Sequence, residues 1–398
     1  MAPRAKIQAV LGLDAVELRD RLASGALRAA DLVRACLARI AELEPQIGAW
    51  AWIDNDHALA QAERLDQWRQ SGRPLGPLHG LPVGLKDVID TKGIPTENGT
   101  PIDAGRVPAE DAWIVARLRA AGAIILGKTV TTECAFLHPG RTRNPHSPDH
   151  TPGGSSQGSA AAVAAGMVPL AVGTQTGGSV IRPAAFCGVV GLKPSFGLIP
   201  RTGILMQSPT LDTVGVFARS VADCALLAQV LAGHDPADKA TEPLPAPPLL
   251  DTAQTPPPVT PVFAFLKPPG WDQADPQTTA AVQELATFLG DQCFEVTVPG
   301  LEDAAAIRAE DGRAVPPPTL DTEIERMLSN EVIDQVIADL KIATLPEFDP
   351  EPGTPVFASA DVYLAWRCYY ALEPLAGTSI ALWDPYGGLM ASRTDHRE

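Results

Sequence analysis

Two glycine-rich segments contain serines that could do covalent chemistry. Residues 151–160 (TPGGSSQGSA) contain Ser155, and residues 173–180 (GTQTGGSV) contain Ser179. A serine hydroxyl becomes a nucleophile when a nearby base takes its proton. The glycines before Ser179 leave the backbone N–H groups open to a developing oxyanion. Each segment alone is equally compatible with glycines that only allow a buried turn to pack tightly.

The base could be a lysine, because the chain offers few histidines after the serines. Only His234 and His396 follow Ser156. Lys86 lies in the apolar segment GLPVGLKDVID, residues 80–90. A lysine has an ordinary pKa of about 10.4, so it can act as a base near neutral pH only when burial removes its charge. A lone lysine is more often a solvated surface residue, so Lys86 matters only together with the two serine segments.

Residues 154–158 (GSSQG) match the G-x-S-x-G nucleophile elbow, with Ser156 as the serine. An elbow requires a strand that runs directly into it and a histidine partner. The preceding residues 144–152 contain three prolines and indicate a loop. A Ser-His-Asp mechanism therefore ranks second to the lysine mechanism.

Residues 122–129 (GAIILGKT) match the P-loop pattern, but we reject this motif. A P-loop needs a strand before its first glycine and a flexible loop between the glycines. Here the four residues between the glycines are apolar and themselves predict a strand. Nucleotide binding through Lys128 is therefore not expected.

Taken together, the three segments resemble the amidase signature family. A lysine in a GLPVGLKD segment, a GGSS segment and a GTQTGGS segment follow one another in the order of that signature, and Ser155 and Ser179 lie 24 positions apart. The flanking residues 127–136 and 183–197 match as well. The resemblance covers roughly residues 13–233.

The resemblance implies a role for each site residue. Ser179 would be the acylated nucleophile, and Ser155, after a cis peptide bond, would relay its proton to neutral Lys86. Ser156 would hydrogen-bond within this network. The oxyanion hole would be formed by the backbone N–H groups of Thr176, Gly177, Gly178 and Ser179. The mechanism implies no cofactor and no metal.

Three positions depart from the common family pattern. Gln157 occupies a position that is usually glycine, and Gln175 replaces a frequent aspartate four residues before the nucleophile. Arg182 follows Ser179 by three residues, where two is the common spacing. A neutral glutamine can still hydrogen-bond, so we expect the structure to be kept with altered electrostatics.

The segments around these motifs alternate between helical and strand patterns, which indicates an α/β fold. The resemblance implies an α/β amidase signature fold, with a large mixed β-sheet sandwiched between helices. Apolar periodicity and helix start and stop signals predict the following elements. The first helix is expected at residues 14–22, where Asp14 and Glu17 form a capping box, and the second at 31–43, ended by Pro45. Further helices are expected at 55–70, 111–121, 220–231, 276–289, 321–341 and 359–372. Strands are expected at 81–89, 123–126, 262–266 and 293–298.

The chain is expected to form a single amidase domain over residues 1–398. Its signature core spans about residues 70–233, a proline-rich connection spans about 235–261, and a C-terminal part spans 262–398. The C-terminal part lacks the Asn and Gly-x-Pro segment of the family. We interpret it as truncated or altered, with a natural short form as the alternative.

Composition restricts the classes of partner. The net charge of −16 argues against binding to nucleic acid through phosphates. No long apolar segment predicts a membrane span, and the N-terminus lacks the apolar core of a signal peptide, so a cytoplasmic location is expected. The six cysteines show no metal-ligand spacing.

The expected activity is hydrolysis of a small-molecule carboxamide to a carboxylate and ammonia or an amine. Two alternatives share the signature: the glutaminase subunit of a tRNA-dependent amidotransferase, and a truncated homologue without catalysis. The expected partner is the amide substrate, and a homodimer is left open.

Overall fold

The computed structural model describes residues 10–136, 138–268, 271–297, 380–383 and 389–393, and for the last two segments it describes the backbone alone. The chain divides into two compact units, Met1–Thr255 and Pro256–Glu398. The prediction of a single domain over the whole chain stays a prediction. In the described part of the chain, no helix combines the length and the apolar character that a membrane crossing needs.

A six-stranded mixed sheet forms the centre of the first unit, with strand order β1-β3-β2-β4-β6-β5. Strand β2 pairs in parallel with β3 and β4, and the remaining pairs are antiparallel. The strands are β1 (Trp50–Ile53), β2 (Pro82–Lys86), β3 (Ile124–Thr129), β4 (Leu170–Gln175), β5 (Val190–Leu192) and β6 (Thr213–Ala218).

Helices surround or flank this sheet throughout the described part of the first unit. They are α1 (Ala15–Ser24), α2 (Ala29–Ile47), α3 (Asn55–Gln70), α4 (Trp113–Ala120), α5 (Gln157–Ala164), α6 (Ile181–Cys187), α7 (Val221–Leu231) and α8 (Leu249–Gln254). Helix α5 contacts β2, β3, β4 and β6, and α7 contacts β4, β5 and β6. This mixed sheet with packed helices confirms the predicted fold class.

The three central strands are buried along almost their whole length. Every residue of β2 and β3 is buried, and β4 is buried at five of its six positions. Strands covered on both faces have near-continuous apolar sequences, which explains why β2 and β3 show no simple alternation. A polar side chain on β2 or β3 therefore lies in the protein interior.

The second unit contains a parallel pair of strands, β7 (Phe263–Leu266) and β8 (Cys293–Val296), joined through helix α9 (Pro276–Leu289). An antiparallel pair is formed by β9 (Ile380–Trp383) and β10 (Leu389–Arg393). The helices predicted at 321–341 and 359–372 lie outside the described residues. So does most of the segment on which the truncation hypothesis depends.

Several element boundaries differ from the sequence prediction, and the strand expected at 81–89 ends at Lys86. Helix α2 continues through Pro45 to Ile47 and ends at Gly48, whose φ is 63°. Proline removes one hydrogen bond from this last turn, and the buried Ile47 side chain keeps the turn packed against the core. Strand β3 also extends three residues beyond the predicted end, because Gly127, Lys128 and Thr129 pair with β1 and β2.

The capping box predicted at Asp14 is wrong. Asp14 occupies the N-cap of α1, but its side chain caps no backbone N–H group. The Asp223 carboxylate on α7 instead accepts hydrogen bonds from the N–H groups of Ala15 and Val16, both at 2.9 Å. A side chain more than 200 positions away thus satisfies the helix start, which no local pattern could indicate.

Because Asp223 caps α1 and Asp14 does not, substitutions of the two aspartates should have unequal effects on stability. Asp223→Ala should lower the free energy of unfolding by about 1–2 kcal/mol, because two N–H groups lose their acceptor. Asp14→Ala should cost less than about 0.5 kcal/mol. Urea denaturation followed by circular dichroism measures both, and equal losses would contradict the assignment of the cap to Asp223.

Candidate active site

Lys86 lies at the end of β2, at the centre of the sheet, and its side chain is fully buried. Its Nζ atom lies 2.7 Å from Ser155 Oγ and 2.8 Å from Thr174 Oγ1. Burial lowers the pKa of Lys86 to about 7, and the charge of Asp212 acts in the opposite direction. Near pH 7 the charged and neutral forms of the lysine are therefore both populated, and the neutral amine has a lone pair that can accept a proton.

Ser155 and Ser156 lie immediately before helix α5, and both are buried. The peptide bond between Gly154 and Ser155 is cis, as the resemblance implies. The Ser155 carbonyl accepts a hydrogen bond from the Thr132 N–H group at 3.1 Å. These contacts place the Ser155 hydroxyl against Lys86.

Ser156 connects the first serine segment to strand β4 and to the second serine segment. Its hydroxyl donates to the Thr174 carbonyl at 3.1 Å and lies 3.3 Å from the Thr174 nitrogen. Its backbone N–H donates to the Ser179 carbonyl at 3.3 Å. Ser156 thus takes part in the hydrogen-bond network around the site, without a direct bond to Lys86.

Ser179 lies in the loop between β4 and α6 and is 7% exposed. In the part of the chain that the structure describes, no hydrogen bond joins its hydroxyl to Ser155 or Lys86. The structure therefore brings together Lys86 and Ser155, and it places Ser179 next to Ser156 through the backbone. The relay between Ser155 and Ser179 stays a prediction.

The backbone N–H groups just before and at Ser179 have no acceptor in the described protein, whereas the two that follow are bonded. The Gln175 side-chain oxygen accepts the N–H groups of Val180 at 2.9 Å and Ile181 at 3.0 Å. Its amide nitrogen donates to the Gly177 carbonyl at 3.3 Å. No described residue accepts the N–H groups of Thr176, Gly177, Gly178 and Ser179, so these four donors are available to an oxyanion.

The departures from the family pattern each have a structural counterpart. Gln175 supplies an acceptor oxygen of the kind that an aspartate would supply. The Arg182 Nε donates to the Gly154 carbonyl at 3.0 Å and so connects α6 to the cis bond. Gln157 is buried, and its Nε2 atom has no partner among the described residues.

Sequence reasoning missed Thr174 and Asp212. The Thr174 hydroxyl is the second contact of Lys86 Nζ, and its position one residue before Gln175 gave no spacing signal. Asp212 lies just before strand β6, and its Oδ1 lies 2.6 Å from Thr176 Oγ1. A polar residue at the start of a buried strand was the one available hint.

A pocket opens beside this end of the sheet. Thr174 and Thr176 form its polar side, and Ile204, Leu205 and Met206 form an apolar wall. Its remaining lining residues are Ala135, Arg201, Gln207, Asp212, Thr213 and Val214.

The P-loop match has a structural role, and the structure gives the second-ranked nucleophile elbow neither the strand nor a histidine partner among the described residues. Residues 124–129 of the P-loop match form strand β3, and the fully buried Lys128 donates to the Ile89 carbonyl at 2.7 Å and to Thr96 Oγ1 at 2.6 Å. At the elbow match, residues 144–152 are irregular. His234 bonds to Thr241 at 3.0 Å, and no described histidine contacts Ser156.

Comparison with known proteins gives one family. The family model described as Amidase matches residues 31–308. A glutamyl-tRNA(Gln) amidotransferase subunit of Chloroflexus aurantiacus is 48% identical over 232 residues, which cover 57% of this chain and 48% of that protein. The chain therefore spans about half the length of the curated relatives that it matches.

Solved structures of the same kind share the fold. The native peptide amidase of Stenotrophomonas maltophilia superposes with a TM-score of 0.68 at 32% identity, covering 89% of this chain and 78% of that one. A protein from a vestigial complex, described in connection with the origins of an s-triazine catabolic enzyme, has a TM-score of 0.69 at 33% identity. That match covers 80% of this chain and 75% of the other.

The role of Gln175 predicts a test of the loop. Gln175→Met removes the oxygen that two N–H groups share, so the free energy of unfolding should fall by about 1–3 kcal/mol. Gln175→Glu keeps an acceptor oxygen at the same distance along the side chain and should cost less. Thermal and urea unfolding measure both, and a Met variant as stable as the Glu variant would show that the loop does not depend on this oxygen.

Proposed function

The chain belongs to the amidase signature family, and on that premise we propose that it hydrolyses the C–N bond of a small-molecule carboxamide. The products are a carboxylate and ammonia or an amine. The observation that carries the proposal is the contact between a fully buried lysine and a serine hydroxyl, Lys86 Nζ to Ser155 Oγ at 2.7 Å. With a pKa of about 7, this lysine supports the role of a base.

The first step forms an acyl-enzyme on Ser179. Ser179 Oγ attacks the amide carbonyl carbon while its proton passes to Ser155 Oγ, and the Ser155 proton passes to Lys86 Nζ. A neutral amine has two N–H donors and one lone pair. Lys86 can therefore donate to Thr174 Oγ1 while it accepts from Ser155.

The carbonyl oxygen gains negative charge in this step. The N–H groups of Thr176, Gly177, Gly178 and Ser179 receive it, because they have no acceptor among the described residues. Loss of a single donor of this kind costs about 10²–10³ in kcat in other hydrolases. Gln175 supports this oxyanion hole because its side-chain oxygen accepts hydrogen bonds from the N–H groups of Val180 and Ile181. Only the four N–H groups before Val180 are then left without an acceptor among the described residues.

The second half of the reaction returns the proton. Ser155 and Lys86 deliver it to the leaving nitrogen, the C–N bond breaks, and ammonia or an amine departs. Water then attacks the ester carbon, with its proton taken by the same Ser155–Lys86 pair. Ser179 is released with its hydroxyl restored, and the carboxylate leaves.

An activity panel tests the proposal. It contains aliphatic, aromatic and urea-like amides together with C-terminal peptide amides, since the Stenotrophomonas relative is a peptide amidase. Release of carboxylate and ammonia or amine in equal amounts supports the proposal. No hydrolysis of any amide by the folded protein would favour the homologue without catalysis.

The second candidate is a glutaminase that serves an amidotransferase. The 48% identity to the Chloroflexus glutamyl-tRNA(Gln) amidotransferase protein favours it. A glutaminase of this kind works with partner proteins, whereas a free amidase does not. Glutamine hydrolysis that appears only with partner proteins and charged tRNA would support this candidate against the free amidase.

The remaining expectations are an amide substrate as the main partner, a homodimer left open, and a cytoplasmic location. The oligomeric state is decided by light scattering of the purified chain. These expectations rest on the sequence and do not affect the proposed chemistry.

The assignment of the nucleophile predicts a labelling pattern. A fluorophosphonate should modify Ser179, and Ser179→Ala should abolish both the label and the amide hydrolysis, because the attacking oxygen is gone. Peptide mass spectrometry locates the label. Ser156→Ala is the matched control and should keep the label, whereas a label on Ser156 would favour the nucleophile elbow.

The assignment of the base predicts a pH dependence. The Lys86 pKa is lowered to about 7, so the neutral, active fraction increases as the pH rises through that value, and kcat/KM should rise with it. Lys86→Arg should lower kcat/KM by about 10²–10⁴-fold, because a guanidinium does not lose its proton.

Circular dichroism and melting of Lys86→Arg, with Lys86→Met as the uncharged control, establish that both variants are folded. Substantial activity in a folded Lys86→Arg enzyme would make the lysine a structural contact, and another base would have to be sought.

A further inference from the structure

The Thr176 hydroxyl contacts two acceptor oxygens at once. Its Oγ1 lies 2.6 Å from Asp212 Oδ1 and 2.7 Å from Gln207 Oε1. The Gln207 amide is oriented by its nitrogen, which donates to the Cys134 carbonyl at 2.9 Å. A reversed amide would place two oxygens against each other there, so the oxygen of Gln207 faces Thr176.

One proton cannot serve both of these contacts. A hydroxyl has a single hydrogen to donate, and a hydrogen bond between oxygens at such distances needs a near-linear proton. If Asp212 were ionised, one of the two short oxygen pairs would have no proton between them. A second proton is therefore required within the group formed by Thr176, Asp212 and Gln207.

The position of that second proton follows from the other contacts of Asp212. Its Oδ2 already accepts two backbone donors, Gln207 N–H at 2.7 Å and Ser208 N–H at 2.9 Å. Oδ2 is thus the carbonyl-type oxygen of the group. The hydroxyl-type oxygen is Oδ1, which faces Thr176.

We propose that Asp212 carries a proton on Oδ1 and donates it to Thr176 Oγ1, while Thr176 donates to Gln207 Oε1. Asp212 is then a positioning residue for the loop that begins at Thr176 and contains Ser179. This positioning role rests on the proposed amide hydrolysis, whereas the protonation of Asp212 does not.

Burial of Asp212 favours a neutral carboxyl group. Burial raises its pKa, against the lowering effect of hydrogen bonds from Thr176, Ser208 and Gln207 and of the Arg201 charge. The Arg201 guanidinium forms an ion pair with the Asp238 carboxylate, with contacts at 2.8 and 3.0 Å. The Lys86 pKa of about 7 includes the raising effect of an ionised Asp212, so a neutral Asp212 would leave the pKa of Lys86 lower still.

The arrangement has a consequence for the loop. When Asp212 loses its proton, Thr176 must donate to the carboxylate, and Thr176 and Gln207 are left with two oxygens facing each other. The Thr176 side chain then moves away from Gln207. Because the N–H group of Thr176 is the first oxyanion donor, loss of the Asp212 proton should lower activity on the alkaline side of the pH profile.

Infrared spectroscopy of the substrate-free protein at pH 7 tests the protonation directly. The difference spectrum of wild type minus Asp212→Asn should contain the C=O stretch of a protonated carboxylic acid. Asp20→Asn, a replacement on the exposed side of α1, should show no such band. Only ionised carboxylate bands in the Asp212 difference would overturn the proposal.

Kinetics of matched variants test the positioning role. Asparagine can reproduce the protonated acid, because its NH₂ group donates to Thr176 and its oxygen accepts from Gln207 and Ser208. Asp212→Ala should lower kcat by about 10–100-fold, as expected for a displaced oxyanion donor. Asp212→Asn should restore most of this loss, and Thr176→Val should resemble the alanine variant.

The pH profile separates positioning from simple structural support. The alkaline decline in kcat of the wild type should be absent in Asp212→Asn, which has no proton to lose. An asparagine variant as poor as the alanine variant, or one that keeps the alkaline decline, would overturn the role. If the chain hydrolyses no amide, the infrared experiment alone decides the protonation, so the two failures are distinguishable.

Discussion

A buried lysine with a lowered pKa is the constraint on which the candidate site depends. Lys86 lies on a strand that is flanked on both sides by other buried strands, and its amine contacts two hydroxyl groups. An isolated ammonium in such a place is strongly disfavoured, so burial lowers the pKa of the group to about 7. The sheet therefore sets the pKa of this lysine, because burial among packed strands removes the water that would stabilise its charge.

A second buried lysine, Lys128, shows that the neighbouring groups determine how far burial lowers the pKa. Lys128 lies on the neighbouring strand β3 and is also fully buried, but its amine lies 3.5 Å from the Asp87 carboxylate and bonds to a main-chain carbonyl. Its pKa is lowered less, to about 8, because the charges of Asp87 and Asp90 oppose the effect of burial. Lys128 thus holds the segment after β2 in place, while Lys86, with hydroxyl partners, is left with a lone pair to use.

The loop after β4 is organised by the same rule that buried polar groups need partners. Gln175 satisfies the two donors at the start of α6, and Asp212 reaches the side chain of Thr176. In the described part of this loop, a run of four backbone N–H groups has no acceptor within the protein. The hydrogen bonds of the loop therefore leave one continuous run of N–H donors without a partner in the protein.

The sequence by itself determined the parts of this protein that are local. The order and spacing of the GLPVGLKD, GGSS and GTQTGGS segments indicated the family and the candidate residues, and apolar periodicity placed α3 and α9 at their observed bounds. The rejection of the P-loop followed in the same way, since four apolar residues in a row must form a strand. The element bounds and the P-loop inference depend on neighbours within one element, and the family inference depends on motif order along the chain.

Only the tertiary structure decided the contacts between distant segments. The cap of α1 comes from Asp223, the second contact of Lys86 is Thr174, and Thr176 meets Asp212 and Gln207. Pairing of β4 with β2 and with β6 brings Thr174 next to Lys86 and Thr176 next to Asp212, and no spacing along the chain encodes it. The pKa of Lys86 belongs here as well, because burial is a property of the packed sheet and the sequence around a lysine does not reveal how much water is excluded from it.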